Sequence, residues 1–320
     1  MTRGREFRLA ITSVIVCAVA FGWQQQKDPA KSDSGEDYVI RTTSRLVLLD
    51  VSVKDPQGGF VTDLSKDNFK IFEDGKLQSI SQFASADIPV AVGLVVDESG
   101  SMRPKRPEVL TAALVFIQAS NPLDEMFVVN FNEKARRGLP DDMPFSDNIG
   151  QLREALWRGT PEGRTALYDA VELALRQLEL GRREKKTLVV ISDGGDNVSR
   201  HNLQDVMHDV LQSLTTIYAI GIFDEDDPER NPAVLEKLAH VSGGEAYFPK
   251  ELDKIVPICR QIAKDIRTRY TIGYIPSPEG KPERRIKVQA FSPHNAKLVV
   301  RTRTQYLFPA AAPTAGTVKQ

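Results

Sequence analysis

A short segment rich in oxygen-bearing side chains follows an apolar run in the first third of the chain. Residues 90–96 (VAVGLVV) are apolar or glycine throughout, a pattern typical of a strand buried on both faces of a parallel sheet. Asp97, Ser99 and Ser101 come next, at alternate positions. One carboxylate and two hydroxyls at this spacing can turn toward a common point in a loop. Hard oxygen ligands of this kind favour Mg²⁺, with Mn²⁺ or Ca²⁺ as alternatives, over zinc or copper.

Two more oxygen-bearing residues occupy comparable places further along the chain. Asp193 follows the apolar run 188–191 (LVVI), and Thr165 lies at the start of a helical pattern in the segment 163–167 (GRTAL). Doubly wound sheets place their ligand sites at the carboxyl ends of the strands. We therefore predict that five residues meet at one edge of a single sheet as metal ligands: Asp97, Ser99, Ser101, Thr165 and Asp193.

The neighbours of these residues are assigned less specific roles. Glu98, between predicted ligands, is expected to face solvent, and Asp196 is interpreted as a turn residue. Arg164 is a cation near the predicted metal, and it is expected either to compete with the ion or to favour an anionic partner. The acidic run 224–227 (DEDD) lacks the glycine and distal glutamate of an EF-hand calcium loop, so we interpret it as a solvated loop. Cys259 lies on an apolar stripe and is expected to be a small buried hydrophobe.

The motif D-x-S-x-S, followed by a threonine and then by an aspartate that ends a later strand, resembles a von Willebrand factor type A domain with a metal-ion-dependent adhesion site. The resemblance covers residues 88–267. The flanking segments 69–78 (FKIFEDGKLQ) and 269–276 (RYTIGYIP) resemble a secreted acidobacterial branch of this family. Arg164 is a departure, because the family often has a small residue at that position.

The resemblance implies how the site works. In the family both serines of the motif bind the metal directly, which here are Ser99 and Ser101. The threonine and the aspartates, here Thr165, Asp97 and Asp193, bind directly or through water. A carboxylate from a protein partner typically completes the coordination. With few direct charges from the protein the ion stays electrophilic, so an incoming carboxylate is held strongly.

The segments between these motifs indicate an α/β fold. Further apolar runs at 127–129 and 217–222 alternate with helical patterns, which predicts a doubly wound, mostly parallel, Rossmann-like sheet. The helical patterns have apolar residues at i, i+3, i+4 and i+7. They include Leu110, Ala113 and Ile117; Leu167, Ala170, Val171 and Ala174; Leu203, Val206 and Val210; and Ile255, Cys259, Ile262 and Ile266. We place this unit at residues 88–267.

Both ends of the chain contain short strand patterns. In the N-terminal segment, 38–87, alternating residues at 46–53, short apolar runs at 60–61, 69–72 and 80–83, and turns at 55–59 and 73–76 predict strands and hairpins. The C-terminal segment, 268–308, has strand patterns at 270–274, 286–290 and 298–301. We predict that the two segments pair in a smaller antiparallel β-sandwich into which the α/β unit is inserted; two separate β units are the alternative.

The N-terminus has the features of a secretory signal peptide. Arg3, Arg5 and Arg8 precede an apolar run at 9–21, which is too short to span a bilayer as a helix. Residues 18–20 (AVA) fit a cleavage site. We therefore predict a signal peptide at 1–22, a disordered linker at 23–37, a periplasmic or secreted protein and no stable membrane span after cleavage. A retained N-terminal anchor is the alternative. Residues 309–320 are expected to form a disordered tail.

The amino-acid composition argues against nucleic-acid binding and against a zinc site. The 320 residues include 42 Lys and Arg against 43 Asp and Glu, so there is no basic excess of the kind that nucleic-acid binding requires. The two Cys and four His residues show no zinc spacing. A content of 41% hydrophobic residues is globular. No sequence feature indicates an oligomeric state.

We expect a non-enzymatic, exported module that uses Mg²⁺ to bind an acidic residue of another protein. A metal-dependent hydrolase is one alternative, because a metal at this edge can activate water. However, the sequence shows no nearby histidine base, nucleophile elbow or phosphate loop. Asp193 or Glu98 would have to serve as the base. The other alternative is a metal that only stabilises the fold.

Overall fold

A computed structural model describes residues 46–223, 228–294 and 296–308. The predicted signal peptide, linker, acidic run 224–227 and C-terminal tail therefore lie outside the described residues, as does the beginning of the predicted N-terminal β segment. None of the described helices is both long and apolar enough to cross a bilayer.

The first described segment is a set of short strands joined by tight turns. Asp74 and Gly75 form the turn of a hairpin and have φ angles of 48° and 82°, as two-residue hairpins require. The predicted strand at 60–61 is wrong: a turn closed by the side chain of Asp55 leaves only a single bridge from Lys54 to Phe60. The strands are β1 (Val47–Lys54), β2 (Phe69–Glu73), β3 (Lys76–Gln78) and β4 (Ile80–Ala84).

The central segment is the α/β unit. Its strands are β5 (Ala91–Asp97), β6 (Glu125–Phe131), β7 (Ala135–Arg137), β8 (Lys186–Ser192), β9 (Thr216–Gly221) and β10 (Ala246–Tyr247). Its helices are α1 (Arg106–Ala119), α2 (Ile149–Trp157), α3 (Leu167–Glu179), α4 (Leu203–Ser213), α5 (Pro232–Ser242) and α6 (Ile255–Arg267). The strands form one sheet in the order β10-β9-β8-β5-β6-β7. All neighbours in it are parallel except β6 and β7.

The last segment returns to the first one. Its strands are β11 (Tyr270–Tyr274), β12 (Glu283–Ala290), β13 (Val299–Arg301) and β14 (Gln305–Leu307). They complete two antiparallel sheets, β13-β1-β11-β4 and β14-β12-β2-β3. Each sheet thus contains strands from both ends of the chain. The predicted fold class, a doubly wound α/β unit together with an antiparallel β-sandwich from both chain ends, is confirmed.

Packing explains why β5 lies at the centre of the larger sheet. All seven of its residues are buried, as expected for a parallel strand covered by helices on both faces. Gly93 makes room for its neighbours, because a Cβ there would lie 2.4 Å from the ring of Phe127 and 2.6 Å from Leu188. The ends of β5 and β8 are therefore rigidly placed, and the loops that follow them start from fixed positions.

Several elements were not predicted. They are the helices α2 and α5 and the short strands β3, β7, β10 and β14. The strands have only two or three residues each, too few for an alternating pattern to show. Helix α5 begins at Pro232 and is capped at its C-terminal end by Gly243, which has a φ of 85°. Both are helix boundary signals, and they could have identified it.

Candidate functional site

The loop after β5 is organised by the side chain of Asp97. This residue is 2% exposed. Its Oδ1 accepts a hydrogen bond from the backbone N–H of Ser99 at 2.8 Å, which turns the loop back on itself. Its Oδ2 accepts a hydrogen bond from the Ser192 hydroxyl at 2.6 Å. Ser192 is the last residue of β8, so this bond ties together the carboxyl ends of the two neighbouring strands.

The structure brings three more of the predicted ligands together. The Ser101 hydroxyl donates to Asp193 Oδ2 at 2.6 Å. The hydroxyl oxygens of Ser99 and Ser101 lie 3.1 Å apart. Asp193 is 3% exposed, and its Oδ1 accepts from the backbone N–H of Gly195 at 2.9 Å. Two hydroxyls from the loop after β5 and a carboxylate from the loop after β8 therefore meet at the carboxyl edge of the sheet.

Thr165 lies in a third loop that contacts both others through the backbone. The Gly100 N–H donates to the Gly163 carbonyl at 3.1 Å, and the Asn197 N–H donates to the Thr165 carbonyl at 3.0 Å. The Thr165 N–H donates to Asn197 Oδ1 at 3.0 Å, and Thr165 is 5% exposed. The loop of Thr165 is thus held between the loops that contain Ser101 and Asp193.

The expectation that Glu98 faces solvent is wrong. Glu98 is 1% exposed, and its Oε2 accepts a hydrogen bond from Arg106 Nε at 2.7 Å. A Cβ at Gly159 would lie 2.4 Å from Glu98 Oε1, so a glycine at 159 leaves room for the buried carboxylate. Burial raises the pKa of Glu98 above its usual value, although the Arg106 hydrogen bond opposes this effect. The Glu98 side chain thus holds the loop through Arg106 rather than through the hydrogen bonds that join the predicted ligands.

Other side chains brace the loops around the site. Asp196, predicted as a turn residue, accepts hydrogen bonds from the Tyr168 N–H at 2.9 Å and from the Ser199 hydroxyl at 2.5 Å. Because Tyr168 belongs to the first turn of α3, this carboxylate stabilises the N-terminal end of that helix. Arg164 is exposed and donates to the Asn197 carbonyl at 2.8 Å.

Ser192 and Asn197 are the supporting residues that sequence reasoning did not assign. Ser192 directly precedes the predicted ligand Asp193, and a hydroxyl at the end of a buried strand could have indicated its role. The position of Asn197 beside Thr165 depends on the packing of two distant loops, and no local sequence signal reveals it.

The electrostatics of the site are unbalanced. Burial, reinforced by the negative charge of Asp193, raises the pKa of Asp97 from 3.8 to about 7, and hydrogen bonds from Ser192 and Ser99 offset only part of this increase. Two buried carboxylates close to each other favour a protonated acid or a nearby cation. The arrangement therefore makes a positive charge favourable at this edge of the sheet.

The donor set fits a hard divalent cation. All the predicted ligand atoms are carboxylate or hydroxyl oxygens, which Mg²⁺, Mn²⁺ and Ca²⁺ prefer. Within residues 46–223, 228–294 and 296–308, no group of three or more His, Cys, Asp and Glu side chains is arranged to hold a metal. A site at this edge would therefore depend on hydroxyls as well as on its two carboxylates. Cys259 is a buried free thiol, as expected, and lies on α6.

Comparisons with known proteins agree with this architecture. Residues 92–195 match the family model of the von Willebrand factor type A domain. No curated protein sequence matches the chain significantly. Among solved structures, a von Willebrand factor type A protein from Catenulispora acidiphila is 15% identical, with a TM-score of 0.50 over 83% of this chain and 75% of that one.

Two other solved structures match a smaller share of this chain. The von Willebrand factor domain of the type V pili tip protein Mfa5 from Porphyromonas gingivalis is 14% identical, with a TM-score of 0.45, over 57% of this chain and 96% of that one. An aerotolerance-related membrane protein from Bacteroides fragilis is 17% identical, with a TM-score of 0.45, over 55% and 98%. The family match over residues 92–195 and the fold described above show that this chain contains a von Willebrand factor type A domain.

Proposed function

We propose that the chain is a protein-binding module that uses a divalent cation, Mg²⁺ in the first instance, to capture a carboxylate of a protein partner. The observation that carries this proposal is the meeting of Ser99, Ser101 and Asp193 at the carboxyl edge of the sheet, with hydroxyl and carboxylate oxygens 3.1 and 2.6 Å apart. The match of residues 92–195 to the von Willebrand factor type A family model supports it.

Each residue has a distinct task in this proposal. Ser99 and Ser101 offer neutral oxygens, and Thr165 offers a third. Asp97 and Asp193 offer the negative charge. Asp97 is oriented by the Ser99 N–H and by the Ser192 hydroxyl, so its carboxylate is held in place before any ligand arrives. When bound, Mg²⁺ would supply an electrophilic position for one further carboxylate.

The partner's carboxylate would approach from solvent. Ser101 is half-buried, whereas Asp97, Ser99, Thr165 and Asp193 are buried, so the cluster opens to the surface at Ser101. A partner that presents one acidic residue on a protruding loop would fit this arrangement. The acid would complete the ligand set without needing a deep cleft.

The first test is metal binding itself. Calorimetric titration of the protein with Mg²⁺ and with Mn²⁺ should show one site, and Ser101→Ala and Asp193→Asn should weaken binding at least tenfold. Ser85→Ala and Asp141→Asn, at exposed positions outside the cluster, are the matched controls and should bind as the wild type does. Unchanged affinity in both site variants would rule out this cluster as the metal site.

The second test is partner capture. Immobilised protein should retain a partner from the cell-envelope fraction in Mg²⁺ and release it in chelator, and Asp97→Ala should retain none. Binding that is unaffected by both chelator and Asp97→Ala would remove the metal from the mechanism. If chelation lowers the melting temperature but leaves capture intact, the metal is purely structural. Metal-dependent turnover in a phosphatase and esterase screen, lost in Ser101→Ala, would support a hydrolase instead.

We also propose that the protein is exported. The support is the basic start and apolar run of residues 1–22. Cell fractionation should find the full chain in the periplasm or medium, and a chain without residues 1–22 in the cytoplasm. Equal distribution of the two chains would contradict export by this segment.

A further inference from the structure

A cavity of about 150 Å³ lies between the β-sandwich and the α/β unit. Its walls come from β1 and β11 on one side and from the first residues of β8 and β9 on the other. It is therefore at the amino edge of the parallel sheet, opposite the cluster of Asp97 and Asp193. The residues central to the argument are Leu46, Asp50, Lys185, Leu214, Thr271 and Arg303.

Arg303 is buried at this cavity, and the end of its side chain has no hydrogen-bond partner within the described part of the chain. The residue is 4% exposed. Among the described residues, neither Nη1 nor Nη2 has a hydrogen-bond partner. A buried guanidinium normally has such partners, because leaving a buried charged group unpaired is strongly unfavourable. Burial lowers the pKa of Arg303 to about 10, with the charge of Asp50 opposing the effect.

The backbone holds Arg303 firmly in this position. The segment between β13 and β14 crosses the end of α5, where the Thr304 N–H donates to the Val241 carbonyl at 3.2 Å. A Cβ on Gly243 would lie 2.2 Å from the Arg303 backbone nitrogen, so only glycine permits this approach. The side chain of Arg303 consequently starts from a fixed backbone position.

The charges around the cavity leave a place for one anion. Two acidic side chains, Asp50 and Glu184, and three basic ones, Lys185, Lys186 and Arg303, line it. Asp50 Oδ1 already lies 3.3 Å from Lys185 Nζ. Thr271 lines the same cavity, is 6% exposed, and its hydroxyl also has no partner among the described residues. The cavity thus combines one surplus positive charge with two kinds of unused hydrogen-bond donor.

The mouth of the cavity combines apolar and polar side chains. Leu46, Ile88 and Leu214 are 39%, 37% and 41% exposed, respectively, and all three line the cavity. Ligand sites commonly combine apolar walls with a few polar groups that fix orientation. Here Arg303 and Thr271 lie inside, and the three apolar side chains lie at the rim beside the exposed Gln82 and Glu184, so a ligand with one charged end and one apolar end matches the lining.

We propose that this cavity is a binding site for a small amphipathic monocarboxylate, whose carboxylate pairs with Arg303 and Thr271 and whose apolar part contacts Leu46, Ile88 and Leu214. A guanidinium suits a carboxylate because its fork of N–H groups can donate two parallel hydrogen bonds. The volume limits the ligand to roughly the size of benzene, which a cavity of ~150 Å³ holds. The proposal is independent of the metal site.

The test is a titration of the full chain in chelator, which keeps the metal site out of the measurement. Benzoate and butyrate are the probes, and benzamide and butanol are uncharged analogues of similar size. Calorimetry should show one site for the carboxylates, with at least tenfold weaker binding of the uncharged analogues. Arg303→Met should abolish carboxylate binding, and Arg285→Met, at an exposed position on β12, should leave it unchanged.

Two further variants keep the proposal testable if Arg303→Met does not fold. Arg303→Lys retains the charge but loses the fork, and Thr271→Val removes only the hydroxyl. Each should weaken benzoate binding severalfold without changing affinity for benzamide. Binding of benzoate and benzamide with equal affinity, or carboxylate binding unaffected by all three variants, would overturn the proposal. A titration in which neither benzoate nor butyrate gives a binding heat at millimolar concentration would also overturn the proposal.

Discussion

Two buried aspartates of this molecule have opposite surroundings. Asp265, on α6, is fully buried, and its carboxylate accepts hydrogen bonds from Ser52 at 2.5 Å, Tyr218 at 2.6 Å and Arg269 at 3.3 Å. Asp97 is buried to a similar degree, but its close charged neighbour is a second carboxylate, Asp193. The negative charge of Asp265 is therefore neutralised by Arg269, whereas the charge of Asp97 has a like charge beside it.

The pKa values follow this difference. Although burial alone favours the neutral acid, the Arg269 charge and the hydrogen bonds from Ser52 and Tyr218 hold the pKa of Asp265 below its usual value. At Asp97, burial and a like charge raise the pKa to about 7. Asp265 joins α6, β9 and β1, so its pairing stabilises the contact between the α/β unit and the β-sandwich. The unbalanced charge at Asp97 instead marks a site that a cation can complete.

The largest effect on stability is expected at Asp265, where the α/β unit contacts the β-sandwich. Asp265→Ala should lower the free energy of unfolding by about 3–5 kcal/mol, because it leaves the buried Arg269 guanidinium without its charged partner. Urea denaturation followed by circular dichroism measures this loss. It should be the same with Mg²⁺ and with chelator, since the junction is separate from the candidate metal site.

Asp253→Ala is the matched control for Asp265→Ala. Asp253 lies just before α6 and its side chain is 69% exposed, so the change should cost less than about 0.5 kcal/mol. Similar losses in the two variants would show that the buried pair contributes no more than a surface charge. The contrast between the two aspartates would then lose its energetic basis.

The second prediction concerns how the stability contributed by Asp97 depends on pH. Because the pKa of Asp97 is about 7 when folded and 3.8 in the unfolded reference, the folded state binds more protons between these values. Metal-free protein should therefore lose stability as pH rises from about 4 to about 7, by up to about 4 kcal/mol. Asp97→Asn should remove this slope, which urea denaturation at a series of pH values measures.

Saturating Mg²⁺ should change the pH profile of the wild type. A bound cation should keep Asp97 ionised at lower pH, so the wild-type profile should flatten toward that of Asp97→Asn. Parallel pH profiles for the wild type and Asp97→Asn in chelator would contradict the assignment of an unneutralised carboxyl at this position. In Asp265→Ala the slope due to Asp97 should persist.

The two regions also differ in how far the sequence predicts them. Asp97, Ser99 and Ser101 follow a buried strand at fixed spacing, and a local pattern of this kind indicates both the edge of the sheet and the loop. The pairing of Asp265 with Ser52 joins residues that are far apart along the chain, and no local signal connects them. The motif residues were therefore placed from sequence, whereas the polar junction was not.

Glu98 shows the same limit inside the motif. Its position between two predicted ligands favoured solvent exposure, but its burial depends on Arg106 and on the space that Gly159 leaves. Short elements fail for a related reason. β14 has three residues, and its pairing with β12 depends on long-range contacts rather than on its own periodicity. The long buried strands and the strongly amphipathic helices were the elements that the sequence predicted well.

The third prediction tests the buried position of Glu98. Glu98→Gln should lower the free energy of unfolding by about 1–2 kcal/mol, because it removes a charge-assisted hydrogen bond to Arg106. The cost is smaller than at Asp265 because the Arg106 side chain is 20% exposed and can be solvated. Glu162→Gln, in an exposed position of the neighbouring loop, is the control and should change stability by less than about 0.5 kcal/mol. Equal effects at the two positions would place Glu98 at the surface after all.

The smallest effect is expected from Arg164→Ala. Arg164 was the departure from the family pattern, and its charge was expected either to compete with a metal or to favour an anionic partner. In the structure its guanidinium donates to the Asn197 carbonyl at 2.8 Å and the residue is exposed, so solvent and salt screen its charge from the cluster. Mg²⁺ affinity, measured by calorimetry, should therefore change by less than about threefold, and stability by less than about 0.5 kcal/mol. A tenfold rise in Mg²⁺ affinity would show that the arginine does repel the ion. The charge balance at Asp97 would then have to include Arg164 as a third member, and the contrast with the neutralised Asp265 would narrow accordingly.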